Sequence, residues 1–440
     1  MKFIKKQITD INKFGAKELF RKFLLSINLL ILLLMDIIAI LPCIIIRLIS
    51  PWFIVRVSRI PAGNFGDFVW MTGMYYCKKK LKIDLPPRRH IDLVYIHYKD
   101  KIHNKQLAKM WKRKLNFLSA YILDPIDRVG RYIPGWENHI ISSLINPERD
   151  LNGYFEKIQV LDFTTEEKIY GKKTLAKFGL KERDKFVCLV VRDAAYQLKK
   201  ISARYRDWSY HDYRHIDIDK FTLAAEELTK KGYYVFRMGV VAEKPFRSKN
   251  SKIIDYVNSN LRSDFMDVYL GANCSFCIST GTGYEEMPVI FKKPLVQLHA
   301  PFGDIVTHSE KFFVLTRHHI LKKEKRKLSL SEIFTHGVAY TYSTQGFEEK
   351  GIRLVENTPE EIKDIVIEMA ESLEFDKKLN SEDKKLQETF KSLFADNIKR
   401  VNYHLKRAYF KKKCHIEIFH GKIKARYSTN FLRKNRYWLR

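Results

Sequence analysis

Ser279-Thr280-Gly281-Thr282-Gly283 is the stretch whose residue types and spacing are best suited to chemistry. Glycines and hydroxyls at a strand-to-helix turn offer N–H and O–H donors to an anion, and the amino end of the helix adds a favourable field. A diphosphate is the anion that fits. Alone, a TGTG turn is weak evidence, because many such turns carry glycine with no ligand. Its setting strengthens it. Asp264 to Ala272 (DFMDVYLGA) reads as a helix and Cys274 to Ser279 as a strand. Tyr284 to Phe291 reads as a second helix, and Lys292-Lys293-Pro294 leads into a strand ending at His299.

Other residues belong to the same chemistry. Arg192 leaves an apolar strand, Phe186 to Val191 (FVCLVV), at its carboxyl end, where a guanidinium can hold a diphosphate bidentately. Arg237 stands near the end of the next strand, Tyr233 to Met238, and lysines near Lys244 follow. No DxD-type motif stands after a strand, so the reading is metal-independent and requires no cofactor. The charge of a departing diphosphate then falls to Arg192, Arg237 and helix amides. Glu285 and Glu286 open the helix after the glycine turn. Either can bond a ribose or sugar hydroxyl, and equally both can complement the helix dipole. Arg204, Arg206, His211 and Arg214 sit among Tyr and Trp, as an acceptor loop or lid, or as a surface loop held by Asp207, Asp212 and Asp217. Asp67 lies in a second glycine-bearing turn, Pro61 to Asp67. It is a candidate general base, or else the amino-terminal cap of the following helix.

The elements that must position these groups alternate along the chain. Trp52 to Ile60 and His90 to His97 read as strands, Phe68 to Leu81 and Lys101 to Tyr121 as helices. Asp124 to Gly153 is loop-rich, and Phe163 to Leu180 is a connecting helix. From Lys185 onward, repeated strand–helix units predict a doubly wound parallel sheet, with Asp219 to Lys231 as a helix and Ile253 to Val257 as a short strand. Ligands of such sheets bind outside the strands' carboxyl ends. Thr358-Pro359-Glu360-Glu361 forms a capping box that opens a further helix. The rest of the chain is a strongly basic helical region.

The chain has 440 residues, 45% of them hydrophobic, which is room for two or three domains and excludes a disordered tail. A net charge of +30 attracts polyanions. No recognised nucleic-acid module accompanies the charge, so an anionic membrane surface is favoured over nucleic acid. The six cysteines make no disulfide framework, and the lone Cys274–Cys277 pair reads as buried thiols in a reduced, cytoplasm-facing protein. Phe23 to Ile49 is apolar and long enough to cross a bilayer as a helix. Asp36 and Pro42 interrupt it and basic residues flank both ends, which favours a re-entrant hairpin over a single span or a buried core helix. Residues 1–22 before it form a basic amphipathic helix.

Several stretches together resemble a family of bacterial surface-polysaccharide glycosyltransferases. They are Arg192 to Tyr196 (RDAAY), Arg206 to Arg214 (RDWSYHDYR), Tyr233 to Gly239, Leu261 to Gly283, Leu330 to Gly337 (LSEIFTHG), Glu356 to Glu361 and His420 to Leu439. Gly66-Asp67 is similar, more distantly, to the GD turn that supplies the base in heptosyltransferase-like enzymes. Arg192 matches the arginine of the HxR motif of fucosyltransferases, although Val190 stands where that histidine would be. The resemblance implies two Rossmann-like domains (GT-B-like) facing a cleft, at 50–184 and 185–355. The membrane-associated helical segment precedes them, and the basic region 356–440 follows, its last helix crossing back to the first domain. It also implies a nucleotide-sugar donor, a glycan or lipid-linked acceptor, and a site on the cytoplasmic face of the bacterial inner membrane. A non-catalytic scaffold of polysaccharide assembly and a nucleotide-sugar epimerase are the alternatives on the same fold.

Overall fold

The structure is a computed structural model that describes residues 2–145, 149–196, 209–299, 302, 305, 308–375, 379–409 and 423–440; of 2–19, 21, 25, 210, 211 and 398–409 only the backbone is described. The chain divides into two compact units that interleave in sequence. In chain order the first elements are α1 (Lys2–Ile49), β1 (Phe53–Arg59), α2 (Phe65–Lys80), β2 (Arg89–Tyr95), α3 (Lys105–Lys112) and α4 (Ala120–Gly130). α1, β1, β2 and α4 belong to the first unit, whereas α2 and α3 belong to the second.

In the first unit α1 is one continuous helix that contains Pro42, in place of the hairpin that Asp36 and Pro42 suggested. The reason lies in what its last third touches. Asp36, Ala39, Cys43 and Arg47 recur every three to four residues and so share one face. Arg128 of α4 lies 2.6 Å from the Asp36 carboxylate and also meets Asp124. The Cys43 thiol donates to the Ile126 carbonyl, and Arg47 donates to the Pro134 carbonyl. A partnered carboxylate no longer has to turn the chain out to water. β1 and β2 pair in parallel, Phe53 opposite Arg89 and Arg59 opposite Tyr95. Directly opposed Arg56 and Asp92 form a buried ion pair at 2.7 Å.

The basic helix predicted over Lys101 to Tyr121 is shorter, because residues 116–118 bond to the edge of β2 instead. Val94 N–H donates to the Asn116 carbonyl and Leu118 N–H to the Val94 carbonyl. Ser119 then caps α4, which occupies part of the region read as loop.

The second unit holds α5 (Tyr154–Lys157) and α6 (Thr165–Lys177), then β3 (Lys185–Val190), α7 (Thr222–Lys230), β4 (Tyr233–Arg237) and β5 (Ile253–Ile254). Next come α8 (Asp264–Asn273), β6 (Phe276–Ser279), α9 (Glu286–Ile290), β7 (Leu295–Leu298) and β8 (Phe312–Leu315). With β12 (Arg426–Tyr427) the strands make a seven-stranded parallel sheet, in the order β12-β8-β7-β6-β3-β4-β5. Its strands are continuous apolar runs with Val187, Val235, Phe276, Leu295 and Leu315 buried, as a sheet covered on both faces requires. The fold is thus mixed α/β with parallel sheets, preceded by a long apolar helix. A small antiparallel sheet, β9 (His318–Leu321), β10 (Arg326–Lys327) and β11 (Ile352–Val355), had no counterpart in the sequence reading.

The carboxy-terminal stretch also departs from expectation. Arg426 and Tyr427 extend the main sheet beside β8, and the Trp438 ring stacks on Tyr427 at 4.5 Å. The end of the chain is therefore part of the second unit and not a separate basic region. Asp67 and the α2 helix that carries it likewise fall in the second unit, although the sequence assigned them to an amino-terminal domain.

Glu361 fastens the helix α10 (Pro359–Phe375) to β9. It accepts from His318 Nε2 at 3.0 Å, from Asn357 Nδ2 and from the Thr358 amide. Burial alone would push its carboxyl up, but these bonds outweigh it and hold the group at about 2. A folded-state value below the ordinary 4.5 gives stability that is present above 4.5 and lost as pH falls towards 2. Glu361→Gln is expected to destabilise the protein by about 1 kcal/mol at pH 7, the usual scale for a lost cap. The Tm difference from the parent should shrink when calorimetry is repeated in acid. A difference that persists there would contradict this account.

Candidate functional site

The main sheet reverses its winding between β3 and β6. From β3 the chain builds outward to β4 and β5, then returns to place β6 on the opposite side. Such a switch point leaves a crevice at the carboxyl ends of the two strands. The glycine turn occupies it. Thr280 N–H donates to the Val190 carbonyl at 3.2 Å, and Arg192 N–H donates to Thr280 Oγ1 at 2.8 Å, so the two strand ends clamp one another. Gly281 adopts φ +76°, a left-handed conformation that other residues resist. Ser279 Oγ accepts from the Gly281 and Thr282 amides at 3.2 and 3.4 Å, and Thr282 Oγ1 accepts from Tyr284 N–H. The hydroxyls thus shape the turn, and several of its amides are bonded within it. Arg214 steadies the same turn by donating to the Gly281 carbonyl at 3.0 Å.

The second glycine turn lies directly on the first. α2 begins at Phe65, three residues earlier than the sequence suggested, so Gly66 and Asp67 stand in its first turn. A Cβ placed on Gly66 would come 2.8 Å from Gly283 Cα, and one on Gly283 would come 3.0 Å from Gly66 N. Backbone meets backbone, and neither position tolerates a side chain without a shift. Phe65 stacks on Tyr284 with centroids 5.7 Å apart and meets the His103 ring edge-on at 5.5 Å. The Tyr284 hydroxyl donates to the Asp267 carbonyl at 2.8 Å. One residue beyond the contact, Asp67 accepts from Asn64 Nδ2 at 2.9 Å. Asn64 occupies the position preceding α2, so Asp67 stands inside the first turn of the helix and not at its cap position.

A cavity of about 420 Å³ opens beside these turns, with Asn64, Gly66, Arg192, Arg237, Thr282 and Gly283 on its wall. Arg237 is buried there and donates to Asp255 at 3.3 Å and to Asp193 at 3.5 Å, which offsets its charge within the wall. Asp193 also accepts from the Ala195 and Glu243 amides and so orders the loops around Arg192. Glu285 is buried and accepts from Gln297 of β7 at 3.0 Å, while Glu286 is half-buried in the first turn of α9. Arg206 lies outside the described residues, and of His211 only the backbone is described, in a short 3₁₀ turn at Ser209–Arg214.

The sequence reading missed Asn64, Phe65, His103, Asp193, Asp267 and Tyr284. Asn64 is three residues before Asp67, a spacing that signals a first-turn pair, and Asp193 adjoins Arg192. The aromatic contacts carry no local signal. Asp267 lies on the cavity wall, and burial pushes its carboxyl up to about 6 against the bonds from Arg262 and Tyr256.

No family model matches the sequence, and a comparison with curated proteins finds no match. Solved structures similar to this chain include two glycosyltransferases. The glycosyl transferase family 9 protein from Veillonella parvula is 12% identical, with 73% of this chain and 98% of that one covered and a TM-score of 0.41. The ADP-heptose lps heptosyltransferase II of E. coli is 14% identical, with 59% and 90% covered and a TM-score of 0.31.

Gly66→Ala is expected to force the two turns apart and to cost about 1–3 kcal/mol, the range for overpacking a tight contact. Gly63, where an added methyl group would meet nothing within 4 Å, provides the control. Gly63→Ala should leave the Tm within the spread of ordinary surface changes, about 0.5 kcal/mol. Equal Tm values for the two variants would show that the glycine contact is not tight.

Proposed function

We propose that this protein is a glycosyltransferase that moves a sugar from a nucleoside-diphosphate donor to a hydroxyl of a glycan or lipid-linked acceptor, within bacterial surface-polysaccharide synthesis. The observation that carries this reading is the contact of Gly66 with Gly283. It sets Asp67 one residue from a glycine contact at the switch point of a parallel sheet, where Gly66, Gly283 and Arg192 line the cavity and Asp67 itself stands just outside its lining. A phosphate site and a base side by side are what transfer from a diphosphate requires.

In this mechanism the donor diphosphate lies along the turn, against Arg192, the Thr282 hydroxyl and Gly283. The turn holds several of its own amides, so side chains supply most of the charge that the leaving group needs. Arg237 positions Asp193 and the Arg192 loop. Asp67, oriented by Asn64, takes the proton of the acceptor hydroxyl as that oxygen bonds to the anomeric carbon. The bond from that carbon to the diphosphate breaks, and the nucleoside diphosphate departs with the electron pair. The acceptor is held at the cytoplasmic face of the inner membrane. Lys22–Ile49, whose most apolar 18-residue window has a mean hydropathy of 3.1, attaches the enzyme there, and the chain's net charge of +30 suits anionic lipid.

A thermal-shift panel of UDP, GDP, dTDP, CDP and CMP tests the donor site. One nucleotide should raise the Tm of the parent and of Asp67→Asn but not of Arg192→Ala. Asp67→Asn should lose about 10²–10⁴-fold in turnover, the usual share of general-base catalysis. No response to any nucleotide would favour the scaffold alternative, and full turnover by Asp67→Asn would remove the base assignment.

A further inference from the structure

From Phe23 to Met35 the α1 helix makes no polar contact with the rest of its unit among the described residues. Apolar side chains stand exposed over most of its circumference, among them Leu24, Leu29, Leu30, Leu33 and Leu34, while Leu32 and Met35 are half-buried. A protein groove covers one narrow face of a helix; an apolar arc this wide needs a solvent that is itself apolar. This uncovered stretch is 13 residues long, about 20 Å at 1.5 Å per residue, whereas a bilayer core is about 30 Å thick. It is too short to cross alone. The helix meets its lipid requirement only by drawing on residues 36–48, where Ile37, Ile38, Ile40, Leu41, Ile44 and Ile45 are also exposed. That second stretch is the part fastened to α4 through Asp36–Arg128 and through buried Ala39 and Cys43. Whether α1 crosses the bilayer or lies along its surface, α4 must accompany it.

The surface of the α4 region agrees. Leu118, Tyr121 and Ile122, at its amino-terminal turn, are 47, 64 and 57% exposed. Three large apolar positions open to water within five residues are unusual outside an interaction site. Trp52, at the carboxyl end of α1, is 75% exposed, and Tyr132, just after α4, is 87% exposed, which suits the aromatic residues that sit at headgroup level. The Arg128 charge is met by Asp36 and Asp124, so the apolar level of this surface carries a neutralised and not a bare cation.

We infer that the first unit is itself a lipid-embedded module: the amino-terminal turn of α4, with Leu118, Tyr121 and Ile122, is inserted in the bilayer alongside α1, and the Asp36–Arg128 pair is the polar fastening between them. The inference rests on the proposed membrane attachment and deepens it. The helix is not a tether that leaves a soluble domain free in water. It holds this whole unit, and not the helix alone, at the membrane.

The test uses full-length protein with Cys414 replaced by Ser, in vesicles of phosphatidylethanolamine and phosphatidylglycerol. The five described cysteines are buried and unpaired, so single labels can be placed at will. Nitroxides are attached in turn to Ile38→Cys on α1, Ile122→Cys on α4, and Ile169→Cys, an exposed position on α6 that serves as the aqueous reference. Accessibility to oxygen is compared with accessibility to a water-soluble nickel chelate. The expected result is an oxygen-to-chelate ratio severalfold above the reference at both 38 and 122. A high ratio at 38 with a reference-like ratio at 122 would overturn the inference while leaving α1 as an anchor. Reference-like ratios at both would overturn the membrane attachment and this inference with it.

Discussion

Two glycines in van der Waals contact set the geometry of the candidate site. Gly66 stands in the first turn of α2, Gly283 in the turn that follows β6, and more than two hundred residues separate them in the chain. Their backbones approach to a distance that any side chain would prevent. Around the contact, Phe65 lies between Tyr284 and His103, and Tyr284 is tied to the backbone of α8. The same helix continues the contact further on, where Gly73 faces Ile290 of α9 and the Phe155 ring. These contacts fix α2 within the second unit, and so fix the backbone that carries Asp67. The chemistry proposed for this protein depends on that placement more than on either turn by itself.

A second constraint runs through both units. Charges that the fold takes out of water are met by opposite charges, often from distant parts of the sequence. Asp36 has Arg128, Arg56 has Asp92, and Arg237 has Asp193 and Asp255. In each case a single residue viewed in isolation invites a different reading. Asp36 alone argues for a break in the apolar helix, and Arg237 alone argues for a phosphate ligand. With partners in place, the first becomes a fastening between two helices and the second a brace for the loop carrying Arg192.

This explains what could and could not be read from the sequence. Elements with strong local signals were legible: the strand before Arg192, the helix Asp264–Asn273 and the order of parts around the glycine turn. Continuous apolar strands and capped helices are specified by their own residues. Elements defined by distant pairing were not. The edge strand at Arg426–Tyr427 is two residues long and exists only because β8 is beside it. The basic helix after Lys101 ends early because β2 offers residues 116–118 a better bonding partner. In the candidate site, type and spacing single out Asp67, Arg192 and the TGTG turn as candidates, but the approach of Gly66 to Gly283 was not in them. Glycine signals a permissive backbone and does not say what it will meet.

The most direct test of the central claim is a crystal structure of the full-length protein with the nucleoside diphosphate that stabilises it. The account predicts diphosphate oxygens within hydrogen-bond distance of the Arg192 guanidinium and the Gly283 amide, with the Asp67 carboxylate facing the vacant sugar position. A nucleotide bound away from the β3–β6 crevice, or one whose diphosphate touches neither Arg192 nor Gly283, would contradict it.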